Sequence, residues 1–230
     1  MKLNDQLVEL YRSKFDGIET MYSELEKSGI DDYSDPLLLH VWEYEYEYEK
    51  APFKLMFFGQ ETNGWGAELS NIEDIPSAMS EYERFNMGRN YNSTFWSWIH
   101  WIHQQFGNPY NNGFIWNNIL KFGKNGSIGK PDRKVTELEN KYFNVAQEEI
   151  AILKPDVCLF LCGPNYDERI REKFPDVDFN EVSDYPIREV AQLKSSHLPK
   201  HSYRTYHPGY GQRHEDWYEG VFEVVVNLVK

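Results

Sequence analysis

The stretch KLMFFGQETNGWG, residues 54–66, decides the fold, because a run of apolar residues ends there in a cluster of polar ones. Residues 54–58 have the length and apolar character of a strand that is buried on both faces. Residues 60–63 then supply a carboxylate and two amides between Gly59 and Gly64. In parallel sheets, ligands bind beyond the carboxyl ends of the strands, so this stretch predicts a strand-end site.

Other segments along the chain indicate that this strand belongs to a parallel sheet. Strand character recurs in residues 114–119, 157–162 and 202–209. Helical spacing of apolar residues marks residues 94–105, 134–153, 166–174 and 215–229. Strands that alternate with helices predict βαβ units. At 230 residues the chain is long enough for one core, and we expect a single domain over residues 1–230 in which residues 1–50 form a mainly helical N-terminal extension.

Composition and charge narrow the functional classes. The chain is 40% hydrophobic, with no apolar run that approaches the length of a membrane span and no signal-peptide pattern, so we expect a cytoplasmic monomer without a membrane partner. The net charge of −13 argues against a protein that wraps nucleic acid non-specifically. Residues 194–214, however, contain four Lys or Arg, four His and no acid. This basic segment predicts local contact with a phosphate-bearing ligand.

Three strand-end motifs together resemble the uracil-DNA glycosylase superfamily. They are FFGQETNG (residues 57–64), FIWNNI (114–119) and TYHPGYGQR (205–213), with the apolar strand LKPDVCLFLCG (153–163) between the last two. Their order and approximate spacing match that family over residues 53–213. The resemblance implies a three-layer α/β/α sandwich with a short, mainly parallel four-stranded sheet.

The resemblance also implies a reaction, the cleavage of the N-glycosidic bond to a damaged or deaminated, uracil-like base in DNA. Glu61 falls where the family places the group that positions water, and His207 where a donor stabilises the departing base. Asn117 falls at the base-reading amide, which has both a donor and an acceptor. No metal or organic cofactor is implied.

Further residues would face the base and the phosphates. The resemblance places Gln60, Tyr210 and Arg213 there, and Asn63 at the position that controls base selection. Trp65 is a local candidate for the aromatic residue that stacks on the base, and Phe85, Tyr91 and Phe95 are others. Glu61 is longer than the family's Asp or Asn.

Two alternatives remain open from the sequence. The chain could be a non-catalytic module that binds a nucleotide or base, or an enzyme that acts on a small nucleoside-like substrate. For single residues, structural roles compete with functional ones, because Gln60 and Glu61 could stabilise their own turn. Asn117 could equally satisfy neighbouring backbone groups.

Overall fold

The computed structural model describes residues 1–63 and 69–230. Of Asn63 it describes the backbone and not the side chain. Six strands form one sheet in the order β2-β1-β3-β6-β5-β4. They are β1 (Leu55–Asn63), β2 (Phe114–Lys124), β3 (Val157–Phe160), β4 (Asp178–Asn180), β5 (Val190–Lys194) and β6 (His201–Thr205). The first four strands in that order pair in parallel, whereas β5 is antiparallel to both of its neighbours. The α/β class is therefore confirmed.

The helices of the described chain connect and flank these strands. They are α1 (Leu3–Ser13), α2 (Phe15–Lys27), α3 (Glu45–Lys50), α4 (Ile75–Ser80), α5 (Thr94–Gln105), α6 (Arg133–Tyr142), α7 (Ala146–Leu153), α8 (Asp167–Lys173) and α9 (Glu215–Val229). Short 3-10 segments cover Ile72–Asp74, Glu81–Gly88 and Pro164–Tyr166. Within the described ranges, no helix is both long and apolar enough to cross a bilayer.

Helices cover both faces of the sheet. On one face, Trp96 of α5 packs against Trp116 of β2, with 5.0 Å between ring centroids, and Trp98 packs against Phe222 of α9. On the other face, the Asn117 side chain of β2 bonds to α7. Because neighbouring strand residues point to opposite faces, β2 separates the two helical layers.

The prediction of four strands is wrong, because β5 and β4 extend the sheet beyond β6. The six residues between β5 and β6 turn the chain back on itself, which makes this pairing antiparallel. The carboxylate of Asp176 stabilises the turn by accepting hydrogen bonds from the Ser195 hydroxyl (2.6 Å) and the Ser196 backbone N–H (2.8 Å). Neither short strand has the apolar run by which the other strands were predicted.

The polar end of the opening stretch is also corrected, since it continues the strand. β1 runs to Asn63 and stays paired with β2 past Gly59, with an irregularity in register between Glu61 and Asn63. β3 ends earlier, where Phe58 pairs with Phe160. One edge of β1 therefore lacks a strand neighbour from Gly59 onward, and a ligand site can form there.

The single helix predicted over residues 134–153 is two helices, α6 and α7. The chain leaves helical geometry at Phe143, with φ −137° and ψ 37°. The Phe143 ring is fully buried between Tyr11 and Phe122, at centroid distances of 6.2 and 5.9 Å. Burial of this ring requires a break that the apolar periodicity did not reveal.

A buried polar network lies behind β2. The Lys121 ammonium is 2.6 Å from both Glu149 Oε1 and Asn117 Oδ1, and Tyr11 donates to the same Glu149 oxygen at 2.7 Å. Burial lowers the pKa of Lys121, and the Glu149 carboxylate opposes that shift. Glu139 accepts from the backbone N–H groups of Lys121 and the next residue, both at 3.2 Å. Glu139 thus satisfies two N–H groups at the outer edge of β2, and the backbone N–H groups of Ser34 and Leu37 donate to carbonyls of the same strand at 2.9 Å.

We predict that Lys121→Met destabilises the protein strongly. The substitution leaves the Glu149 carboxylate buried without its countercharge, which costs about 3–5 kcal/mol in such sites. Denaturant unfolding followed by circular dichroism measures the loss. Arg133→Met is the matched control, because Arg133 pairs with Glu137 on the surface and should change the free energy of unfolding by less than about 1 kcal/mol. Equal effects of the two variants would contradict this assignment.

Candidate functional site

A cleft of about 450 Å³ opens where β1 outruns β3. Residues Gly59 to Glu61 of β1 line one side, and Trp116 and Asn118 of β2, the segment Glu81–Gly88 and the start of α5 line others. His207, just after β6, closes the site. The cleft therefore lies just beyond the end of β6, beside the parts of β1 and β2 that extend past the end of β3.

Gly59 forms the floor of the cleft. A Cβ atom at this position would lie 2.5 Å from Asn118 Oδ1 and 3.4 Å from Phe95 Cζ. Any larger residue would therefore displace Asn118 and fill space that a ligand can occupy. The glycine in the opening stretch is required for this close approach.

Aromatic side chains form the wall of the cleft. The ring of Phe95 lies parallel to His207, with 5.1 Å between centroids and 6° between planes. The Phe85 ring stacks on Tyr91 at 5.4 Å and packs against Trp116 at 5.0 Å. Flat aromatic surfaces at this spacing suit a planar ligand. All three aromatic candidates outside the opening stretch, Phe85, Tyr91 and Phe95, line the cleft.

His207 is held as a neutral donor. Its Nδ1 accepts the Gly209 backbone N–H at 3.0 Å, and its carbonyl accepts the Tyr218 hydroxyl at 2.7 Å. Burial lowers the pKa of His207 from 6.5 to about 4. A neutral imidazole whose Nδ1 is an acceptor carries its proton on Nε2, so the ring can donate one hydrogen bond.

Glu61 also lines the cleft, and Tyr166 is its partner. The Tyr166 hydroxyl donates to the Glu61 carboxylate. Burial raises the pKa of Glu61, whereas this hydrogen bond and the charges of Lys130 and Lys124 oppose the rise. Tyr166 follows β3 in the segment Pro164–Tyr166. No local sequence pattern identifies Tyr166 as this partner, because the sheet order alone brings β1 next to the end of β3.

The predicted Asn117 does not line the cleft, and Asn118 does. The Asn117 side chain is fully buried on the opposite face, where it donates to Glu149 at 2.8 Å and accepts from Lys121. Asn118 pairs with Gly59 and faces the cleft, and its buried Nδ2 has no hydrogen-bond partner among the described residues. A buried donor without a partner indicates a place for a ligand acceptor. The two-residue strand period, applied to the pairing of β1 with β2, could have identified Asn118.

Gln60 and Tyr210 border a second, smaller pocket beside the cleft. Gln60 lines both pockets, and its amide donates to the Cys162 carbonyl at 3.0 Å, which joins the ends of β1 and β3. Tyr210 is partly exposed and stacks on Tyr206 at 4.9 Å. Arg213 lies outside the lining of both pockets and pairs with Glu189 at 2.5 Å.

Two of the predicted site residues lie outside what the structure describes. Trp65 falls in the gap between residues 63 and 69. For Asn63 only the backbone is described, and it pairs with Lys124 of β2. Stacking by Trp65 and base selection by Asn63 therefore stay predictions.

The basic segment 194–214 does not form one surface. Lys194 ends β5 and Lys200 precedes β6, so both lie at the opposite end of the sheet from His207. Arg204 is 1% exposed and bonds bidentately to Asp167 at 2.9 and 3.1 Å. Since Arg213 is also paired, we correct the expectation that this whole segment contacts a ligand. Of this described segment, the part from Tyr206 to Tyr210 borders the two pockets.

The chain matches no model of a known protein family and no curated protein. The relation to the glycosylases therefore stays a prediction that depends on three short motifs. Within the described residues, no three His, Cys, Asp or Glu side chains are grouped so that they could hold a metal ion.

We predict that His207 stays neutral in mildly acidic solution. NMR titration of the imidazole should give a pKa near 4 in the folded protein, and near 6.5 when urea unfolds the chain. Between these values the unfolded state binds a proton that the folded state does not, so His207 lowers the free energy of unfolding as the pH falls from about 6.5 to about 4. A folded-state pKa at or above 6.5 would contradict the burial of a neutral donor.

Proposed function

We propose that the cleft binds a uracil-like nucleobase and that the protein hydrolyses the N-glycosidic bond of this base. The observation that carries the proposal is the convergence of Asn118, His207 and Glu61 on one aromatic-walled cleft. An amide, a neutral imidazole donor and a carboxylate are the groups that such a reaction needs. The three-motif resemblance to uracil-DNA glycosylases and the order of the four parallel strands support the same function.

In the proposed reaction, the base stacks on the Phe95 side of the cleft and its polar edge meets Asn118. The unpartnered Nδ2 of Asn118 donates to a base carbonyl, which replaces the partner that the protein itself does not supply. Because Gly59 has no side chain, Asn118 can lie directly against the backbone of β1 and still line the cleft. Asn118 thus takes the base-reading role that the resemblance gave to its neighbour Asn117.

The bond from C1′ of the sugar to the base nitrogen breaks with its electron pair on the base. His207 Nε2–H donates to the base oxygen as negative charge develops there, and a neutral imidazole can do so without losing its own proton. The Glu61 carboxylate stabilises the positive sugar and orients a water molecule, whose oxygen bonds to C1′. Glu61 accepts one proton of that water, and this proton passes through solvent to the nitrogen of the departing base, which restores the carboxylate.

A non-catalytic base-binding module is the second candidate, because one observation favours it. The Glu61 carboxylate is already hydrogen-bonded to Tyr166. The Tyr166 hydroxyl occupies an acceptor site of this carboxylate and competes there with a water molecule. In this alternative the cleft keeps its affinity for a base and performs no cleavage.

We predict that Glu61→Gln lowers base excision about 10²- to 10⁴-fold, the range for the loss of a general base. Oligonucleotides and free nucleosides that carry uracil, hypoxanthine or xanthine are incubated with each variant, and released base is measured. Glu81→Gln is the matched control, because Glu81 also lines the cleft but pairs with Arg84. Full activity of Glu61→Gln would remove Glu61 from the mechanism, and binding without excision by the wild type would favour the module.

We predict that Gly59→Ala weakens binding of free uracil about tenfold or more, since the added methyl group occupies the space beside Asn118. Isothermal titration calorimetry measures the affinity, and thermal unfolding checks that the fold is retained. Gly211→Ala serves as the control, because a Cβ atom there meets nothing within 4 Å. Unchanged affinity of the Gly59 variant would place the base outside this cleft.

A further inference from the structure

A smaller pocket of about 160 Å³ adjoins the cleft and shares Gln60 and His207 with it. Its other walls come from the segment after β3, from Lys130 and Arg188, and from Tyr210. A group bound there lies next to a ligand in the cleft, because the same two residues border both pockets. The volume is about a third of that of the cleft and is large enough for a phosphate group.

The positively charged side chains of the two pockets differ in whether a carboxylate forms a salt bridge with them. In the described part of the chain, the cations that line these pockets are Arg84, Lys130 and Arg188. Arg84 forms a salt bridge with Glu81 at the rim of the cleft. Lys130 instead donates to a carbonyl, that of Asn165, at 3.0 Å, and no described carboxylate forms a salt bridge with it. The exposed Arg188 side chain has no hydrogen bond or salt bridge to a described residue. Lys130 and Arg188 thus bring two positive charges to the smaller pocket. The carboxylates of Glu61 and Asp167 lie near them without forming a salt bridge to either, and the two cations oppose the rise in the pKa of these carboxyl groups.

Two of the acids on the far side of Lys130 accept hydrogen bonds from backbone groups. Asp132 accepts the backbone N–H of Lys134 at 2.7 Å and begins α6. Asp32 accepts the backbone N–H of Asn125 at 3.0 Å. The Lys130 ammonium lies over the ring of Tyr166, 4.2 Å from its centroid, and thus faces the smaller pocket.

The frame of the smaller pocket is rigidly held by a buried arginine. The Arg204 guanidinium donates to the carbonyls of Ile187 and Arg188, both at 2.8 Å, while it also binds Asp167. One buried cation therefore fixes the backbone that carries Arg188 and the start of α8 next to Tyr166. Such preorganisation is typical of a binding site, since the charged groups need not be ordered by the ligand.

We propose that the smaller pocket binds a single phosphate group and that the ligand of the whole site is a nucleoside 5′-monophosphate. This inference rests on the proposed function for the identity of the base. Lys130 and Arg188 supply charge-assisted hydrogen bonds to the phosphate oxygens. Two described arginines near the cleft, Arg84 and Arg213, are neutralised by carboxylates, which favours a single phosphate over a polymer backbone that needs several free cations.

The test uses 2′-deoxypseudouridine, its 5′-monophosphate and a short single-stranded oligonucleotide that contains it, because a base joined through carbon cannot be hydrolysed. Isothermal titration calorimetry compares their affinities with that of inorganic phosphate. The monophosphate should bind about ten- to a hundredfold more tightly than the nucleoside, as expected for hydrogen bonds to a charged group. The oligonucleotide should bind no more tightly than the monophosphate.

Three variants test whether the tighter binding of the monophosphate depends on the smaller pocket. Lys130→Gln and Arg188→Gln should each remove most of the advantage of the monophosphate and leave the affinity for the nucleoside unchanged. Lys200→Gln is the matched control, because Lys200 lies at the other end of the sheet, and it should change neither affinity. Inorganic phosphate should compete with the monophosphate and not with the nucleoside.

The outcomes separate this inference from the proposed function. Equal affinities for nucleoside and monophosphate would overturn the phosphate site while the base site stands. Phosphate binding that depends on Lys130, without any nucleoside binding, would support the phosphate site and overturn the base site. The oligonucleotide could instead bind more tightly than the monophosphate, and Lys200→Gln could weaken it as much as Lys130→Gln does. That result would overturn the mononucleotide assignment in favour of a polymer. No binding of any probe would overturn both proposals.

Discussion

The pairing of β1 with β2 beyond the end of β3 is the constraint on which the site depends. This pairing extends β1 through Gly59 and Glu61, beyond its last pair with β3, and keeps Asn118 opposite Gly59. The outer edge of β2 holds this register through side-chain bonds, among them those from Glu139 to two backbone N–H groups. Close approach of the two strands even requires a glycine at Gly123, because a Cβ atom there would lie 1.5 Å from the Thr62 carbonyl oxygen.

The two faces of β2 divide structural from functional chemistry. On one face, the Asn117 side chain is hydrogen-bonded to both members of the ion pair of Lys121 and Glu149. On the other, Asn118 faces the cleft with a free donor among the described residues. In the cleft, burial keeps His207 neutral and raises the pKa of Glu61, so both groups have pKa values displaced toward their uncharged forms. Perturbed groups that converge in a concave pocket are typical of functional sites.

Apolar runs and helical periodicity predicted much of the fold, because positions that are buried in a strand or helix are occupied by apolar residues. α5 and α9 begin and end as predicted, and the four strands with long apolar or alternating character are present. β4 and β5 were missed because they are short and are formed through a turn held by Asp176. Of the site, the positions of Glu61 and His207 followed from the strand-end rule, whereas Asn118 required the register and Tyr166 the sheet order. These two features come from contacts between distant segments, which local patterns do not encode.

We propose that the cleft beside β1 recognises a nucleobase through the face of β2 that carries Asn118. A crystal structure of the protein soaked with free uracil is the decisive experiment. We expect a ring in the cleft, parallel to Phe95, with its polar edge within hydrogen-bond distance of Asn118 Nδ2 and His207 Nε2. Electron density for uracil at another place, or in the cleft without a bond to Asn118, would contradict it.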